Sequence, residues 1–189
     1  MMAHLPILPV LIPLAAAVLL LIAANAGLAV TRAISVASLI LLAVVGAVVL
    51  DAANDGTIRV YRLGDWPAPY GIVLVLDRLS ALMVALTSFL GVAVVLAAVS
   101  GTDARGRYFH AFLQFQMMGL NGAFLTGDLF NLFVFFEILL LASYGLLVHG
   151  GGLQRARAGI AYVVLNLSGS ALFLIALGLL YGFLGTLNM

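Results

Sequence analysis

Leu129–Val148, with the sequence LFNLFVFFEILLLASYGLLV, contains a single charged side chain, Glu137. A helix of about 20 residues is about 30 Å long, which matches the hydrocarbon core of a bilayer. Glu137 lies near the middle of this run and is the only glutamate in the 189 residues. A carboxylate at this depth costs about 2.5–3.5 kcal/mol on insertion scales, so intramembrane carboxylates mark ion or proton paths by default. The run therefore predicts a membrane helix that belongs to a transporter.

The composition of the whole chain predicts a polytopic membrane protein. Apolar residues make up 65% of the sequence and charged residues 8%, whereas soluble domains carry about 25% charged residues. The sequence contains no cysteine, which excludes disulfides and thiolate metal sites. All eight basic residues are arginines, and they form no basic cluster with interleaved aromatic residues, so nucleic acid is not an expected partner.

Hydropathy predicts an all-α fold with six transmembrane helices. The predicted spans are Leu5–Asn25, Ala33–Leu50, Asp77–Ser100, His110–Thr126, Asp128–Val148 and Gly159–Leu184. Only Gly127 separates the fourth span from the fifth, which predicts a tight helical hairpin. The first span also has the length of a long signal sequence, with a cleavage-like site at residues 24–26. Because residues 1–4 contain no lysine or arginine, a membrane helix is the favoured interpretation.

The distribution of arginines predicts the orientation, because positive residues in short loops stay on the cytoplasmic side. Five arginines fall in the first, third and fifth loops, namely Arg32, Arg105, Arg107, Arg155 and Arg157. The other three are diluted by aspartates, mostly in the loop between the second and third spans. We therefore predict a multi-pass protein of the bacterial inner membrane with both termini outside.

The loop of residues 51–76 predicts an external β-hairpin. Thr57–Leu63 alternates apolar or β-branched with polar residues, a Gly- and Pro-rich break follows, and Tyr70–Leu76 is apolar and rich in β-branched residues. Trp66 and the tyrosines at 61 and 70 are expected at the headgroup level, as in aromatic belts. A disordered connector is the alternative.

The fifth span places Tyr144 seven residues after Glu137, on nearly the same helix face and two turns toward the cytoplasm. Phenylalanines and leucines surround Glu137, which disfavours its charged form and suits a group that loads and releases a proton. The alternative is a permanently protonated carboxyl that hydrogen-bonds a neighbouring helix.

Polar residues recur on the flanking spans. Gln114 and Asn121 share one face of the fourth span, and Tyr162, Asn166 and Ser170 follow one another at four-residue steps on the sixth. These groups are candidates for holding water next to Glu137. Hydrogen bonding between helices is the alternative. It is favoured for the hydroxyls of the sixth span, and for Gln114, Asn121 and Asn166 both interpretations stay open.

Two histidines, His110 and His149, fall at the predicted cytoplasmic ends of the fourth and fifth spans. Histidine titrates near neutral pH, so either is a candidate for delivering protons, although a solvated interfacial histidine is the favoured interpretation. Asp77 and Asp128 begin their helices and are expected as N-caps. The sequence contains no nucleotide-binding or hydrolase motif and no metal-ligand spacing, so neither an enzymatic site, a cofactor nor a metal is expected.

The run NGAFLTGDLFNLFVFFEILLLASYGLLV, residues 121–148, resembles the fifth-helix region of the antiporter-like membrane subunits. This family comprises the D subunit of Mrp-type cation/proton antiporters, the proton-pumping subunits of NADH:quinone oxidoreductase and their hydrogenase relatives. The segment TGDLFNLFVFFE is most similar to the Mrp D subunit. The same holds for the segments GDWPAPYGIVLVLDRLSALM and, at the C-terminus, AYVVLNLSGSALFLIALGLLYGFLGTLNM. The resemblance implies an outside N-terminus, an external hairpin and Glu137 as the key glutamate.

Family members have about fourteen helices, with two inverted five-helix repeats after the first three, and the lysine that partners the glutamate lies on a broken seventh helix. This sequence contains six predicted spans and no lysine. The resemblance thus implies an N-terminal fragment, with the first three helices and the hairpin in residues 1–109 and an incomplete first inverted repeat in residues 110–189. It also implies a switch in which movement of the lysine charge controls proton binding by Glu137.

The leading hypothesis is a proton-translocating part of a multisubunit sodium/proton antiporter, with other subunits, protons, sodium and the lipid bilayer as partners. One alternative is a pumping subunit of a redox-driven quinone oxidoreductase or hydrogenase complex. An alternative of another class is a non-transporting structural or assembly protein, in which Glu137 makes only a packing hydrogen bond.

Overall fold

The chain is described by a computed structural model, which covers residues 2–66 and 71–189. Six α-helices make up most of it. They are α1 (Leu8–Ile22), α2 (Leu28–Ala53), α3 (Arg78–Val99), α4 (Phe109–Leu125), α5 (Leu129–Leu147) and α6 (Leu153–Leu184). Short 3-10 segments precede and follow α1, at Met2–Ile7 and Ala23–Asn25, and two others lie in loops, at Leu63–Asp65 and Asp103–Arg105.

Five stretches in the described residues are long and apolar enough to cross a membrane. They are His4–Asn25, which contains α1, and the helices α2, α3, α5 and α6. The helix α4 has 17 residues, just below the length of a typical span. The mostly helical, multi-pass membrane fold is thus confirmed, and the crossing of the bilayer by α4 stays a prediction.

The second helix begins at Leu28, five residues before the predicted start of the second span. Gly27, with a φ of 94°, makes the turn between the preceding 3-10 segment and this helix, a conformation that favours glycine. The placement of Arg32 in a loop was therefore wrong, because it lies in the second turn of α2.

The loop between α2 and α3 contains two paired strands, β1 (Arg59–Arg62) and β2 (Val73–Leu76). They are antiparallel, with Arg59 opposite Leu76 and Arg62 opposite Val73. Both strands are shorter than the segments expected from the sequence. Trp66 is 65% exposed, whereas Tyr70 lies outside the described residues. The side of the membrane on which the strands lie stays a prediction.

The helices pack as neighbours around α4. The helix α4 packs against α1 and α5, α2 packs against α1 and α3, and α6 packs on α5. Glycines allow the contact between α4 and α5: a Cβ at Gly119 would lie 2.8 Å from the backbone nitrogen of Leu139, and one at Gly122 would overlap the ring of Phe135. The helix α6 is largely exposed along its length.

Both predicted N-caps are confirmed. The Asp77 carboxylate accepts a hydrogen bond from the Ser80 backbone nitrogen at 2.7 Å, and the Asp77 backbone nitrogen donates to the Ser80 hydroxyl at 2.9 Å, which completes a capping box. Asp128 accepts from the Asn131 backbone nitrogen at 2.8 Å. The hydrogen bonds from Ser80 lower the pKa of the Asp77 carboxyl. Only three residues separate the end of α4 from the start of α5, as the predicted tight hairpin requires.

Candidate functional site

Glu137 lies in the third turn of α5. The contacts on the two sides of this helix show the direction in which its side chain projects. Phe135 and Leu139 meet the glycines of α4. Glu137 is two residues from each of them and therefore projects from the other side of the helix. Its neighbours at one and two turns, Phe133 and Tyr144, share that side.

The side of α5 that carries Glu137 faces α6. The rings of Phe133 and Phe173 lie 6.0 Å apart, and those of Tyr144 and Tyr162 lie 5.7 Å apart in an edge-to-face arrangement. Because the two helices run antiparallel, these two contacts place Glu137 between them along the axis of α5. The carboxylate is thus directed toward the interface between α5 and α6.

The Glu137 side chain is half-buried, and its Oε1 atom is buried with no hydrogen-bond partner among the described residues. Leaving a buried polar atom unsatisfied costs about 1–3 kcal/mol, and more when it is charged. Tyr144 follows Glu137 by seven residues on the same side of α5, so it lies about two turns from this carboxylate. An acceptor in this situation gains by taking up a proton or by meeting a cation, which is the chemistry of a proton carrier.

Two polar residues of α6 lie beside a face of α5 other than the one that carries Glu137. Asn166 and Ser170 line a cavity of about 590 Å³ together with apolar residues of α4 and α5. The Asn166 amide donates to the Tyr162 carbonyl oxygen at 2.8 Å, a bond within its own helix. Tyr162 lies on the Glu137 side of α5 through its ring contact with Tyr144, whereas Glu137 is not among the residues that line the cavity at Asn166. The participation of Tyr162 and Asn166 in proton transfer stays a prediction.

The polar residues Gln114 and Asn121 of α4 form hydrogen bonds with α2 and α1 and not with the Glu137 side of α5. Gln114 is fully buried, accepts a hydrogen bond from the Ser38 hydroxyl at 3.3 Å and donates to the Ser35 carbonyl oxygen at 3.3 Å, both on α2. Asn121 is fully buried and donates to the Pro9 carbonyl oxygen on α1 at 3.1 Å. These bonds favour the interpretation as contacts between helices, and proton transfer through either residue stays a prediction.

The expectation that His110 and His149 are solvated was wrong. His110 is 3% exposed and His149 is 9% exposed, because the loop between α3 and α4 folds over both rings. The Nε2 atom of His110 lies 3.1 Å from an Asp103 carboxylate oxygen, and Nε2 of His149 lies 2.9 Å from the Thr102 carbonyl oxygen. Proton delivery by either histidine stays a prediction.

Asp103 was not among the candidate residues predicted from the sequence. Its side chain is fully buried, and both of its oxygens accept from Arg32, at 2.6 Å from Nε and 2.8 Å from Nη2. The hydrogen bond from Arg32 is the largest cause that lowers the pKa of Asp103 to about 2, with a smaller contribution from His110. An aspartate among loop arginines carries no pattern of its own, and its partner Arg32 is 71 residues away.

Within residues 2–66 and 71–189, no group of three or more histidine, aspartate or glutamate side chains could hold a metal ion. The polar chemistry described so far is concentrated in two regions. One is the unsatisfied carboxylate on α5, and the other is the buried cluster of Arg32, Asp103 and His110.

Comparison with known proteins places the chain among membrane antiporter subunits. Residues 126–189 match the transmembrane family described as NADH:quinone oxidoreductase/Mrp antiporter. The chain is 51% identical over 191 residues to the D component of a probable K(+)/H(+) antiporter of Rhizobium meliloti (strain 1021), covering 98% of this chain and 35% of that protein. It is 42% identical to the D component of the Na(+)/H(+) antiporter of Bacillus subtilis (strain 168), covering 97% of this chain and 37% of the relative. The chain thus spans little more than a third of the length of these relatives.

Two solved structures share the fold. A chain of the Mrp complex from Dietzia sp. DQ12-45-1b superposes with a TM-score of 0.89 at 33% identity, covering 98% of this chain and 35% of that one. A chain of the membrane-bound sulfane sulfur reductase, an archaeal respiratory membrane complex, superposes with a TM-score of 0.87 at 28% identity, covering 98% of this chain and 38% of that one.

Proposed function

Because this chain belongs to the Mrp antiporter branch of the NADH:quinone oxidoreductase/Mrp antiporter family, we propose that it is a proton-translocating part of a multisubunit sodium/proton antiporter in which Glu137 carries the proton. The observation that carries the proposal is the buried Oε1 atom of Glu137, which has no hydrogen-bond partner among the described residues. Such a group changes its charge at lower cost than one held by fixed partners.

The proposed mechanism uses the interface between α5 and α6. Glu137 takes up a proton on Oε1, and the protonated carboxyl then has a hydroxyl to donate. Tyr144 and Tyr162 lie toward the predicted cytoplasmic end and supply two hydroxyl groups in reach of a short water chain. Asn166 and Ser170 are further groups able to hydrogen-bond water, and they line a cavity of about 590 Å³ that Glu137 does not line.

A positive charge is needed to hold Glu137 ionised in the unloaded state. The 189 residues contain no lysine, and no arginine bonds to Glu137 among the described residues. We propose that the charge comes from a part of the antiporter outside these residues, as the lysine of the family's seventh helix would supply it. Movement of that charge away from Glu137 would favour protonation.

The proposed setting is the bacterial inner membrane, with the N-terminus outside and β1 and β2 on the external side. The proposed partners are the other antiporter subunits, protons, sodium and lipid. Support comes from the arginines of the loops between α3 and α4 and between α5 and α6, which indicate the cytoplasmic side. Division of the chain at residue 109 into a first three-helix unit and part of an inverted repeat belongs to the same proposal.

A second candidate is a pumping subunit of a redox-driven complex, which the likeness to the archaeal respiratory chain favours. The higher identity to the D components of antiporters favours the antiporter. Neighbouring reading frames separate the two: small Mrp-type subunits support the antiporter, and hydrogenase or quinone-oxidoreductase subunits support the alternative.

The proposal is tested by reconstituting the complex that contains this chain into vesicles, with Glu137→Gln. We expect sodium-driven proton exchange to fall by at least about 100-fold, the range for loss of a proton-transferring group. The matched control is Ser143→Ala on the same helix, whose hydroxyl bonds the Leu140 carbonyl oxygen within its own turn. Undiminished exchange in Glu137→Gln, with normal assembly, would overturn the proposal and favour a structural protein.

A further inference from the structure

The loop between α3 and α4 buries a carboxylate at the predicted cytoplasmic end of the helices. The Asp103 side chain is fully buried, whereas the Arg32 side chain is 29% exposed. Both Asp103 oxygens bond to Arg32, and Oδ2 is also 3.1 Å from the Nε2 atom of His110. The carboxylate is therefore held from two sides, by α2 and by the first turn of α4.

The ionised carboxylate determines the tautomer of His110. An aspartate carboxylate only accepts hydrogen bonds, so the Nε2 atom of His110 must carry a hydrogen and donate it to Asp103. In the neutral ring the lone pair then lies on Nδ1. This atom is buried and has no hydrogen-bond partner among the described residues. His110 thus presents a basic nitrogen that the protein itself does not satisfy.

The other charged and titratable groups around His110 come from α2, from α6 and from the loops that follow α3 and α5. Burial of the ring is the largest effect that opposes a positive charge on His110, Asp103 favours the charge, and Arg32 and His149 oppose it more weakly. The Phe109 ring lies 5.4 Å from the His110 ring and 5.0 Å from the His149 ring, so it stands close to both. Arg155 donates to the His149 carbonyl oxygen.

A cavity of about 280 Å³ reaches this cluster. Its wall includes Asp103 and Gly106 on the α3–α4 loop and Thr31 on α2, and Arg105 and Arg107 also line it. The lining carries charged and hydroxyl side chains and the volume exceeds that of several water molecules, so water can approach the cluster from the side of Asp103.

We propose that His110 is a second proton-accepting residue of this chain and that Asp103, held by Arg32, is its positioning residue. The proton passes from a hydronium ion to Nδ1: an O–H bond breaks, an N–H bond forms and water is released. The hydrogen on Nε2 stays bonded to Asp103. As a step of proton transport this assignment rests on the proposed function, but as a titrating site it stands independently of it.

The test is nitrogen NMR of histidine-labelled complex in lipid nanodiscs, with variants of the other two histidines, His4 and His149, used to assign the signals. We expect neutral His110 to carry its hydrogen on Nε2 and to gain a second one between about pH 5 and 8. Asp103→Asn should move the midpoint to lower pH by about 1 unit, and Arg32→Gln should move it to higher pH by a similar amount.

The opposite directions separate an electrostatic role from a structural one, since general damage would not produce them. Arg62→Gln, in β1, is the charge-matched control and should leave the midpoint unchanged. If Asp103→Asn does not assemble, the wild-type tautomer and the Arg32→Gln shift decide the question. A hydrogen on Nδ1 in the neutral ring, no protonation in this pH range, or no shift in Arg32→Gln would overturn the proposal.

The Glu137→Gln complex distinguishes the two proposals. If His110 still titrates there while exchange is lost, both stand. If exchange is undiminished in Glu137→Gln while His110 titrates as expected, the proposed function fails and the His110 site remains. If His110 does not titrate in the wild-type complex while Glu137→Gln loses exchange, the His110 site fails and the proposed function remains.

Discussion

Two carboxylates of this chain, Asp103 and Glu137, have opposite hydrogen-bonding environments. Asp103 is fully buried, and Arg32 bonds both of its oxygens. Glu137 is half-buried, and one of its oxygens has no partner among the described residues. The first carboxylate has a fixed charge because its partners hold it ionised. The second can change its charge at low cost, and the difference separates a residue that organises the fold from one suited to carry a proton.

Removal of the Asp103 carboxylate is expected to have the largest effect on stability. Asp103→Ala should lower the thermal unfolding midpoint by at least about 4 °C, because it leaves Arg32 and His110 without their buried partner. The control is Asp55→Ala, which removes an exposed ion pair of 2.6 Å with Arg59 and should change the midpoint by no more than about 1 °C. Equal shifts, measured by fluorescence in the same detergent, would contradict the distinction.

Acid provides a second way to remove the charge of Asp103. Its pKa is lowered to about 2 in the folded chain by Arg32 and His110, against an ordinary value near 3.9 in an unfolded one. The contribution to stability is therefore present above about pH 4 and is lost as the pH falls toward about 2. The unfolding midpoint should decline over this range, and the decline should be smaller in Asp103→Asn. An equal decline in both would contradict the assignment.

The role proposed for Glu137 can also be tested at Tyr144. Tyr144→Phe keeps the ring contact with Tyr162 but removes the hydroxyl two turns from Glu137 on the same helix face, so sodium-driven proton exchange should fall by about three- to tenfold with normal assembly. Tyr181→Phe, on a ring that is 54% exposed near the end of α6, is the control and should leave exchange unchanged. Equal rates in the two variants would exclude a role for the Tyr144 hydroxyl.

The features predicted correctly from the sequence depend on local patterns. Hydropathy predicts the five stretches that are long and apolar enough to cross a membrane, and Asp77 and Asp128 cap the helices that directly follow them. The face shared by Glu137 and Tyr144 follows from helical periodicity alone. Sequence spacing did not show which neighbouring helix this face meets, since that depends on the glycines by which α4 packs against the other side of α5.

The features that the sequence could not predict depend on contacts between distant segments. Arg32 and Asp103 are 71 residues apart, and neither belongs to a recognisable motif. His110 and His149 are buried because the loop between α3 and α4 supplies Asp103 and the Thr102 carbonyl oxygen. In the sequence each of these side chains has the pattern of a solvated residue, and only the folded chain brings them together.

Infrared difference spectroscopy of the complex can show whether Glu137 binds and releases a proton. Glu137 is the only glutamate of the chain, so its protonated carboxyl band is identified by its loss in Glu137→Gln. We expect this band to appear and disappear reversibly between about pH 5 and 9, because the pKa of a buried carboxyl can lie in this range. A band that is present throughout this range, or absent throughout it, would contradict the account.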